Sequence, residues 1–201
     1  MKIDEKNPRI MIYNAKGGVG KTALALHLCL TYDYGLVTND QLSVAPETLP
    51  EDRCRILSSF ETLPSFPRSW PLVFDFGGFA DPRAKNVLLD CDFLLIPFLP
   101  FREGYQKLLN FIEELRGYKA DSKILLIANQ SQSDQFLSIQ NTFSRFYPRI
   151  KIFEIKKSQA FSRMCLEKKS ISALAKQYPA WRRHFQTVNE QFERVFNHMR
   201  R

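Results

Sequence analysis

The sequence predicts an α/β protein built on a doubly wound, mainly parallel sheet with flanking helices. Short apolar runs alternate with segments of helical period along most of the 201 residues, and this alternation is typical of the class. Most of the runs are nearly continuous in apolar side chains, as expected of strands buried on both faces of a parallel sheet. No repeat or linker divides the chain, so we expect one domain over residues 1–201.

Six segments are predicted to be strands, each a short run rich in β-branched, aromatic and other apolar residues. In chain order they are RIMIY (9–13), YGLVT (34–38), PLVFDF (71–76), FLLIPF (93–98), KILLIA (123–128) and IKIFEI (150–155). Helices are predicted between them over residues 21–31, 103–116 and 134–146. The first of these is almost wholly apolar and should be buried, and the third places Phe136, Ile139, Phe143 and Phe146 on one face.

Two further regions have a distinct pattern. Residues 46–71 contain five prolines, and they predict a long irregular segment with at most one short strand. Near the end of the chain, apolar residues recur at steps of three and four and predict a last helix that packs on the sheet. They are Trp181, Phe185, Val188, Phe192, Val195, Phe196 and Met199.

The composition is ordinary for a soluble globular protein, with 44% hydrophobic and 25% charged residues. The four cysteines are scattered without a C-x-x-C pair, which argues against a zinc site, an iron–sulfur cluster or a disulfide framework. The first ten residues are polar and give no signal peptide, and the apolar run at 93–101 is too short to span a bilayer. We therefore expect a cytoplasmic protein.

The charge is distributed unevenly along the chain. Residues 1–100 carry 10 basic and 12 acidic side chains, whereas residues 101–201 carry 19 and 9. Such a basic half predicts a polyanionic partner, either nucleic acid or an anionic membrane surface. A solvated basic surface without a partner is the third alternative.

The most specific motif is NAKGGVGKT, over residues 14–22. It fits the phosphate-binding P-loop G-x-x-x-x-G-K-[ST] except that Ala15 replaces the first glycine and an additional lysine, Lys16, is present. In such a loop the glycines bring backbone N–H groups onto phosphate oxygens at a helix N-terminus. Lys21 would reach the β and γ phosphates, and the Thr22 hydroxyl would ligate Mg²⁺. The predicted nucleotide-binding residues of this loop are Gly17, Gly18, Val19, Gly20, Lys21, Thr22 and Ala23.

This loop resembles the K-G-G-V-G-K-[ST] "deviant Walker A" motif of the ParA/MinD family of P-loop ATPases, and further segments extend the resemblance. They are LVFDFGG (72–78), CDFLLIPFLPFREGY (91–105), KILLIANQ (123–130) and residues 156–179. The resemblance implies that Asp75 holds Mg²⁺ through a water and that Asn129 contacts adenine. A turn asparagine that follows a strand is the alternative interpretation of Asn129.

One segment departs from the family pattern. Where the family has D-x-D-P-Q after its second strand, this chain has Thr38-Asn39-Asp40-Gln41. The resemblance implies that Asp40 positions the attacking water, with an ordinary turn aspartate as the alternative. Because Thr38 replaces the first aspartate, we expect hydrolysis to be slower than is usual for the family. The chain begins directly at the first strand, as in the short plasmid-partition type.

The additional lysine, Lys16, is the reason to expect a dimer. Phosphoryl transfer needs charge neutralisation and positioning rather than covalent chemistry, and Lys21 and Mg²⁺ leave a second cation unassigned. In the family resembled, the lysine at the position of Lys16 reaches across a dimer to the partner's ATP. The resemblance therefore implies that Lys16 is a catalytic residue and that ATP drives formation of a homodimer.

The basic half is predicted to bind DNA phosphates without reading sequence, as in the partition branch of the family. The candidate contacts are Lys156, Lys157, Lys168, Lys169, Arg182 and Arg183. Nucleoid association and a stimulating partner protein of the centromere-binding or adaptor kind would follow. The alternative is a MinD-like membrane-surface ATPase that uses residues 192–201 as an amphipathic helix. A metabolic or redox enzyme on the same scaffold is a third possibility, which the scattered cysteines disfavour.

Overall fold

The computed structural model describes residues 7–77 and 81–200, apart from the side chains of residues 102–106 and 133–135. Gly78 and Arg201, which belong to segments discussed above, lie outside the described residues. The strands are β1 (Ile10–Asn14), β2 (Gly35–Thr38), β3 (Cys54–Ile56), β4 (Leu72–Gly77), β5 (Phe93–Phe98), β6 (Ile124–Ser131) and β7 (Lys151–Lys156). The α-helices are α1 (Lys21–Tyr32), α2 (Ala45–Thr48), α3 (Arg83–Asp90), α4 (Arg102–Arg116), α5 (Ser133–Phe146), α6 (Ala160–Glu167), α7 (Ile171–Gln177) and α8 (Arg182–Met199).

Across the described ranges these seven strands form one sheet in the order β3-β2-β4-β1-β5-β6-β7. Every pairing is parallel, which confirms the predicted fold class. β1 lies in the interior of the sheet, where Ile12 pairs with Asp75 of β4 and with Leu95 of β5. The strand order reverses at β1, so its carboxyl end is the switch point at which open α/β sheets bind their ligands.

The two faces of the sheet bury separate core layers. Ile10 and Ile12 of β1 pack into a layer with residues of α1, α6, α7 and α8. Met11 and Tyr13 pack on the other face, with residues of α3, α4 and α5. Successive side chains of a strand point to opposite faces, so a strand covered on both sides must be apolar throughout. This explains the unbroken apolar runs in the sequence.

The predicted strands and long helices agree with the observed ones to within a few residues at most ends. The proline-rich segment contains a single short strand, β3, and the four-residue helix α2. α3, α6 and α7 were not predicted because they span only seven or eight residues and provide too few turns for a periodic pattern. Phe146 was wrongly placed on the buried face of its helix, since it is 65% exposed while Phe143 is 1% exposed.

α8 packs on the sheet as predicted. Its apolar side chains from Phe185 to Met199 are buried, and Phe196 stacks on Tyr32 of α1 with ring centroids 3.7 Å apart. Trp181, directly before the helix, is 37% exposed. In the part of the chain that the structure describes, none of the helices combines the length and the apolar character that crossing a membrane requires.

Candidate functional site

The P-loop connects the carboxyl end of β1 to α1. Gly18 and Gly20 have φ angles of 73° and 90°, a left-handed conformation that favours glycine. Gly20 is also the N-cap of α1 and makes no side-chain cap hydrogen bond. Its position leaves the first N–H groups of a 12-residue helix directed toward the loop, which is the arrangement that binds phosphate.

Asn129, near the carboxyl end of β6, is hydrogen-bonded to the P-loop. Its Nδ2 donates a hydrogen bond of 2.8 Å to the carbonyl oxygen of Val19, and the residue is 2% exposed. A Cβ atom on Gly20 would lie 2.3 Å from the same Nδ2. The second glycine of the P-loop pattern is therefore required both by its φ angle and by its contact with Asn129.

Lys21, Thr22 and Asp75 meet below the loop. The Thr22 hydroxyl donates a hydrogen bond of 2.6 Å to Oδ2 of Asp75, and Lys21 Nζ donates one of 3.2 Å to the carbonyl oxygen of Lys16. Burial raises the pKa of Asp75 to about 6, although the Thr22 hydrogen bond and the Lys21 charge act in the opposite direction. Burial lowers the pKa of Lys21, and the carboxylates of Asp75 and Asp40 offset part of this effect.

Asp40 lies in the loop after β2, the strand next to β4 in the sheet, and lines the same cleft. Its backbone N–H donates to the Thr38 hydroxyl at 3.1 Å, and its Oδ1 accepts a hydrogen bond of 3.0 Å from the N–H of Leu42. Thr38 is fully buried and places a neutral hydroxyl where the family pattern has a carboxylate. The side chain of Asp40 is exposed and lines the cleft.

These side chains line a single cleft of about 620 Å³ at the carboxyl edge of the sheet. The lining residues are Gly17, Gly18, Gly20, Lys21, Thr22, Ala23, Asn39, Asp40, Gln41, Leu42, Asp75 and Gly77. Every residue predicted to bind nucleotide or metal, or to take part in catalysis, lines this cleft except Lys16, Val19 and Asn129. The other four lining residues, Asn39, Gln41, Leu42 and Gly77, were not predicted, because no local motif records which residues of neighbouring loops meet at the cleft.

A smaller cavity of about 220 Å³ adjoins the cleft through Gly20 and Ala23. Asn129, Gln130, Ser158 and Phe161 line it, together with Lys156 and Lys157. The Oδ1 atom of Asn129 is buried and makes no hydrogen bond, although its Nδ2 is engaged with the P-loop. Lys156 and Lys157, two lysines predicted to bind DNA, therefore border this smaller cavity.

Lys16 differs from Lys21 in its surroundings. It is exposed, its N–H donates to Oδ1 of Asn14 at 2.8 Å, and its Nζ lies 4.4 Å from the ring centroid of Phe101. The side chain borders a separate cavity between the P-loop and α4, and Lys16 is not among the residues that line the cleft of its own chain. The two lysines of the motif are thus directed to different places.

The predicted DNA contacts come together at one corner of the molecule. A hydrogen bond of 2.8 Å between Ser158 and His184 brings the segment with Lys156 and Lys157 to the start of α8, which carries Arg182 and Arg183. The end of α6, beside Lys168 and Lys169, reaches the same place because Tyr178 donates a hydrogen bond of 2.6 Å to Glu167. We call these six basic residues the basic corner; within it, Lys169 also contacts Glu167 at 3.8 Å.

No protein-family model and no curated protein matches the chain, but solved structures do. A proposed plasmid partition protein of Borrelia burgdorferi B31 with bound AMPPNP is 16% identical at a TM-score of 0.64, over 94% of this chain and 100% of that one. The cell division protein MinD of Aquifex aeolicus is 14% identical at 0.60, over 94% and 97%. A ParA family ATPase of Chlorobium tepidum TLS is 15% identical at 0.57, over 92% and 99%.

At this level of identity the likeness concerns the fold. The chain has the P-loop α/β fold of the ParA and MinD ATPases, in agreement with the resemblance seen in the P-loop and the strands that follow it.

Proposed function

We propose that this chain is an ATP-dependent dimerising ATPase of the ParA type, which binds ATP with Mg²⁺, binds DNA without reading its sequence and hydrolyses ATP slowly. It would partition a plasmid or chromosome region, or position another large cargo, with a partner protein that stimulates hydrolysis. The observation that carries the proposal is the convergence of Lys21, Thr22, Asp75 and Asp40 in one cleft at the N-terminus of α1. The fold shared with partition and cell division ATPases supports it.

The phosphates are assigned to the P-loop. Backbone N–H groups of the loop and of the first turn of α1 would bind their oxygens, and Lys21 would pair with the β and γ phosphates. The half-buried ammonium of Lys21 is held at the cleft by its hydrogen bond to the Lys16 carbonyl. Burial lowers the pKa of Lys21, and a phosphate anion beside it would favour the charged form.

The oxygens beneath the loop fit Mg²⁺. The Thr22 hydroxyl and the Asp75 carboxylate lie 2.6 Å apart, and hydroxyl, carboxylate and water oxygens are the ligands that Mg²⁺ prefers. When bound, the ion would supply positive charge that neutralises the phosphates. Thr22 would ligate the metal directly, and Asp75 would hold it through a water and would be kept ionised by it.

Hydrolysis is assigned to Asp40. Its exposed carboxylate borders the cleft and would aim a water in line with the γ phosphate. Thr38 supports the loop with a hydroxyl and supplies no charge of its own. The expected consequence is a slow intrinsic rate, which leaves room for a stimulating partner.

Adenine is assigned to the small cavity beside Asn129. The unpaired Oδ1 atom of Asn129 is an acceptor, so it would be satisfied by the exocyclic amino group of adenine. Guanine presents a carbonyl oxygen at the same ring position and would leave this acceptor unpaired. The assignment predicts that ATP binds in preference to GTP.

Dimerisation is assigned to the face that carries the cleft. Lys16 is exposed and lies apart from the cleft of its own chain, and Leu42 at the rim of that cleft is 92% exposed. A second copy that faces this one would cover both residues and bring its own Lys16 toward the bound nucleotide.

DNA is favoured over membrane as the surface that the chain binds. The apolar residues of α8, from Phe192 to Met199, are buried in the core and are not available to insert into lipid. The basic corner instead offers exposed cations to phosphates, and an ATP dimer would present two such corners. A solvated surface without a partner remains the outcome if neither ligand is bound.

Co-sedimentation tests the proposal. The full-length chain is mixed with double-stranded DNA or with anionic liposomes, each with and without ATP and Mg²⁺, and compared with its Lys16→Ala variant. We expect ATP-dependent retention on DNA that Lys16→Ala loses. Retention on liposomes alone would support the membrane alternative, and a Lys16→Ala variant that dimerises and hydrolyses ATP normally would contradict the assigned role of Lys16.

A further inference from the structure

Asn39 joins the loop after β2 to the end of β4. Its Oδ1 accepts a hydrogen bond of 3.0 Å from the N–H of Gly77, and its Nδ2 donates to the carbonyl oxygen of Gly77 at 3.1 Å. The same Nδ2 donates to Oδ2 of Asp81 at 2.8 Å. One amide group therefore binds both backbone polar atoms of the residue that ends β4, two positions after Asp75.

Asp81 is itself held firmly. Arg83 donates to it from Nη2 at 2.7 Å and from Nε at 2.9 Å, and these contacts lower the pKa of Asp81 to about 2. Arg83 also donates to the carbonyl oxygens of Ser58 and Glu61 at 2.7 and 2.8 Å. Asn39 thus attaches the loop after β2 to a fixed group and not to a mobile side chain.

We propose that Asn39 is a positioning residue for ATP hydrolysis, which sets the distance between Asp40 and the nucleotide. The inference rests on the proposed function. Among the described residues, the hydrogen bonds of Asp40 are to Thr38, Leu42 and Ser43 of its own loop, and its neighbour Thr38 has no carboxylate. The bonds of Asn39 to Gly77 connect this loop to the strand that carries Asp75, so the water-directing and metal-binding sides of the cleft are held at one spacing.

The position requires an amide. It must accept from the Gly77 N–H and donate to both the Gly77 carbonyl and the Asp81 carboxylate, and of the short side chains only asparagine offers both functions in this form. An aspartate there would direct a carboxylate at the Gly77 carbonyl and at Asp81, which repel it. The substitution Asn39→Asp therefore changes the charge and the hydrogen bonds without changing the size of the side chain.

The test is a double-mutant cycle on the full chain, with Asn39→Asp, Asp81→Asn and the combination. We expect Asn39→Asp to lower kcat by about 10- to 100-fold, since misplacing a catalytic group costs rates of this order. Binding of AMPPNP with Mg²⁺ should change by less than about threefold, because Lys21 and the P-loop hold the phosphates. In the Asp81→Asn background the same substitution should cost at least about fivefold less, since one repulsive pair is removed.

The control is Asn86→Asp, which adds the same charge at an exposed position of α3 and should leave kcat unchanged; thermal unfolding checks that each variant is folded. Equal kcat for wild type and Asn39→Asp would overturn the positioning role, and so would a parallel loss of AMPPNP binding or an absence of coupling to Asp81. A wild-type chain that binds AMPPNP but releases no phosphate from ATP would instead overturn the proposed hydrolysis itself.

Discussion

At the scale of single residues, the P-loop depends on a contact that its own motif does not contain. Val19 and Gly20 pack against Asn129, which lies 109 positions after Gly20 and supplies the hydrogen bond that holds the loop. The glycines of the motif allow the backbone to turn. Asn129 leaves no space for a side chain at position 20, because it lies against Gly20. The loop and the small cavity beside Asn129 are therefore one structural unit.

Gly20→Ala tests this contact. The added Cβ would lie 2.3 Å from Asn129 Nδ2 and would hold an L-residue at a φ of 90°. We expect the free energy of unfolding to fall by about 1 to 3 kcal/mol, as measured by urea denaturation without nucleotide.

The matched control for that substitution is Gly17→Ala. A Cβ on Gly17 has no atom within 4 Å, and the φ of Gly17 is outside the left-handed region. Its free energy of unfolding should stay within about 0.5 kcal/mol of wild type. Equal losses at the two glycines would mean that the contact with Asn129 does not limit the loop.

How far the sequence predicts the site follows from where its residues lie. Lys21 and Thr22 are fixed by a contiguous motif, and Asp75 by an apolar strand that ends in a carboxylate. Asn39 could not be predicted, because an asparagine in a turn has many roles and only the approach of Gly77 and Asp81 selects one. The Phe146 error has the same origin, since periodicity cannot tell where the neighbouring layer ends.

At the scale of elements, the contact between α1 and α8 includes a buried imidazole. His27 is fully buried, and its ring centroid lies 3.9 Å from that of Phe192. Burial lowers the pKa of His27 to about 3, and its Nε2 makes no hydrogen bond. The imidazole of His27 is therefore neutral where it packs between the two helices.

His27 predicts how stability depends on pH. Because the unfolded chain binds a proton near pH 6.5 and the folded chain does not, stability from this residue is present above that pH and is lost as the pH falls toward 3. Wild type should lose about 1.4 kcal/mol per pH unit from this source below its unfolded pKa.

The measurement is urea denaturation of wild type and His27→Phe between pH 7 and pH 4.5. The variant has no imidazole at position 27, so its free energy of unfolding should decrease less steeply as the pH falls. His184→Gln, which replaces an exposed imidazole, is the control and should follow wild type. Parallel curves for wild type and His27→Phe would show that the buried imidazole does not limit acid stability.

A second prediction concerns what α8 is for. Phe196 stacks on Tyr32 and is 4% exposed, so Phe196→Ala should reduce the free energy of unfolding by about 3 to 5 kcal/mol. Leu166→Ala, at a residue that is 81% exposed, should change it by less than about 0.5 kcal/mol. If Phe196→Ala leaves stability intact but abolishes binding to anionic liposomes, α8 is a membrane helix and not a core helix.

At the scale of the whole molecule, the topology brings the P-loop cleft and the basic corner together. The strand order reverses at β1, so the P-loop opens at the carboxyl edge of the sheet, where β6 and β7 also end. Lys156 and Lys157, directly at and after the end of β7, border the small cavity beside Asn129 and belong to the basic corner. ATP binding and DNA binding would therefore meet along one edge of the protein.

The salt dependence of DNA binding can count the subunits that take part. Each phosphate contact contributes about −0.9 to the slope of log K against log salt concentration. Arg182→Ala removes one exposed cation per chain, so it should reduce the slope by about 0.9 if a monomer binds and by about 1.8 if an ATP dimer binds with both corners. Lys85→Ala, on α3 at the opposite face of the sheet, is the control and should not alter the slope.

We expect the larger change in slope with ATP and Mg²⁺ present, measured by fluorescence anisotropy on random-sequence duplexes. A slope that Arg182→Ala leaves unchanged would mean that DNA does not contact the basic corner, whatever its affinity for the chain.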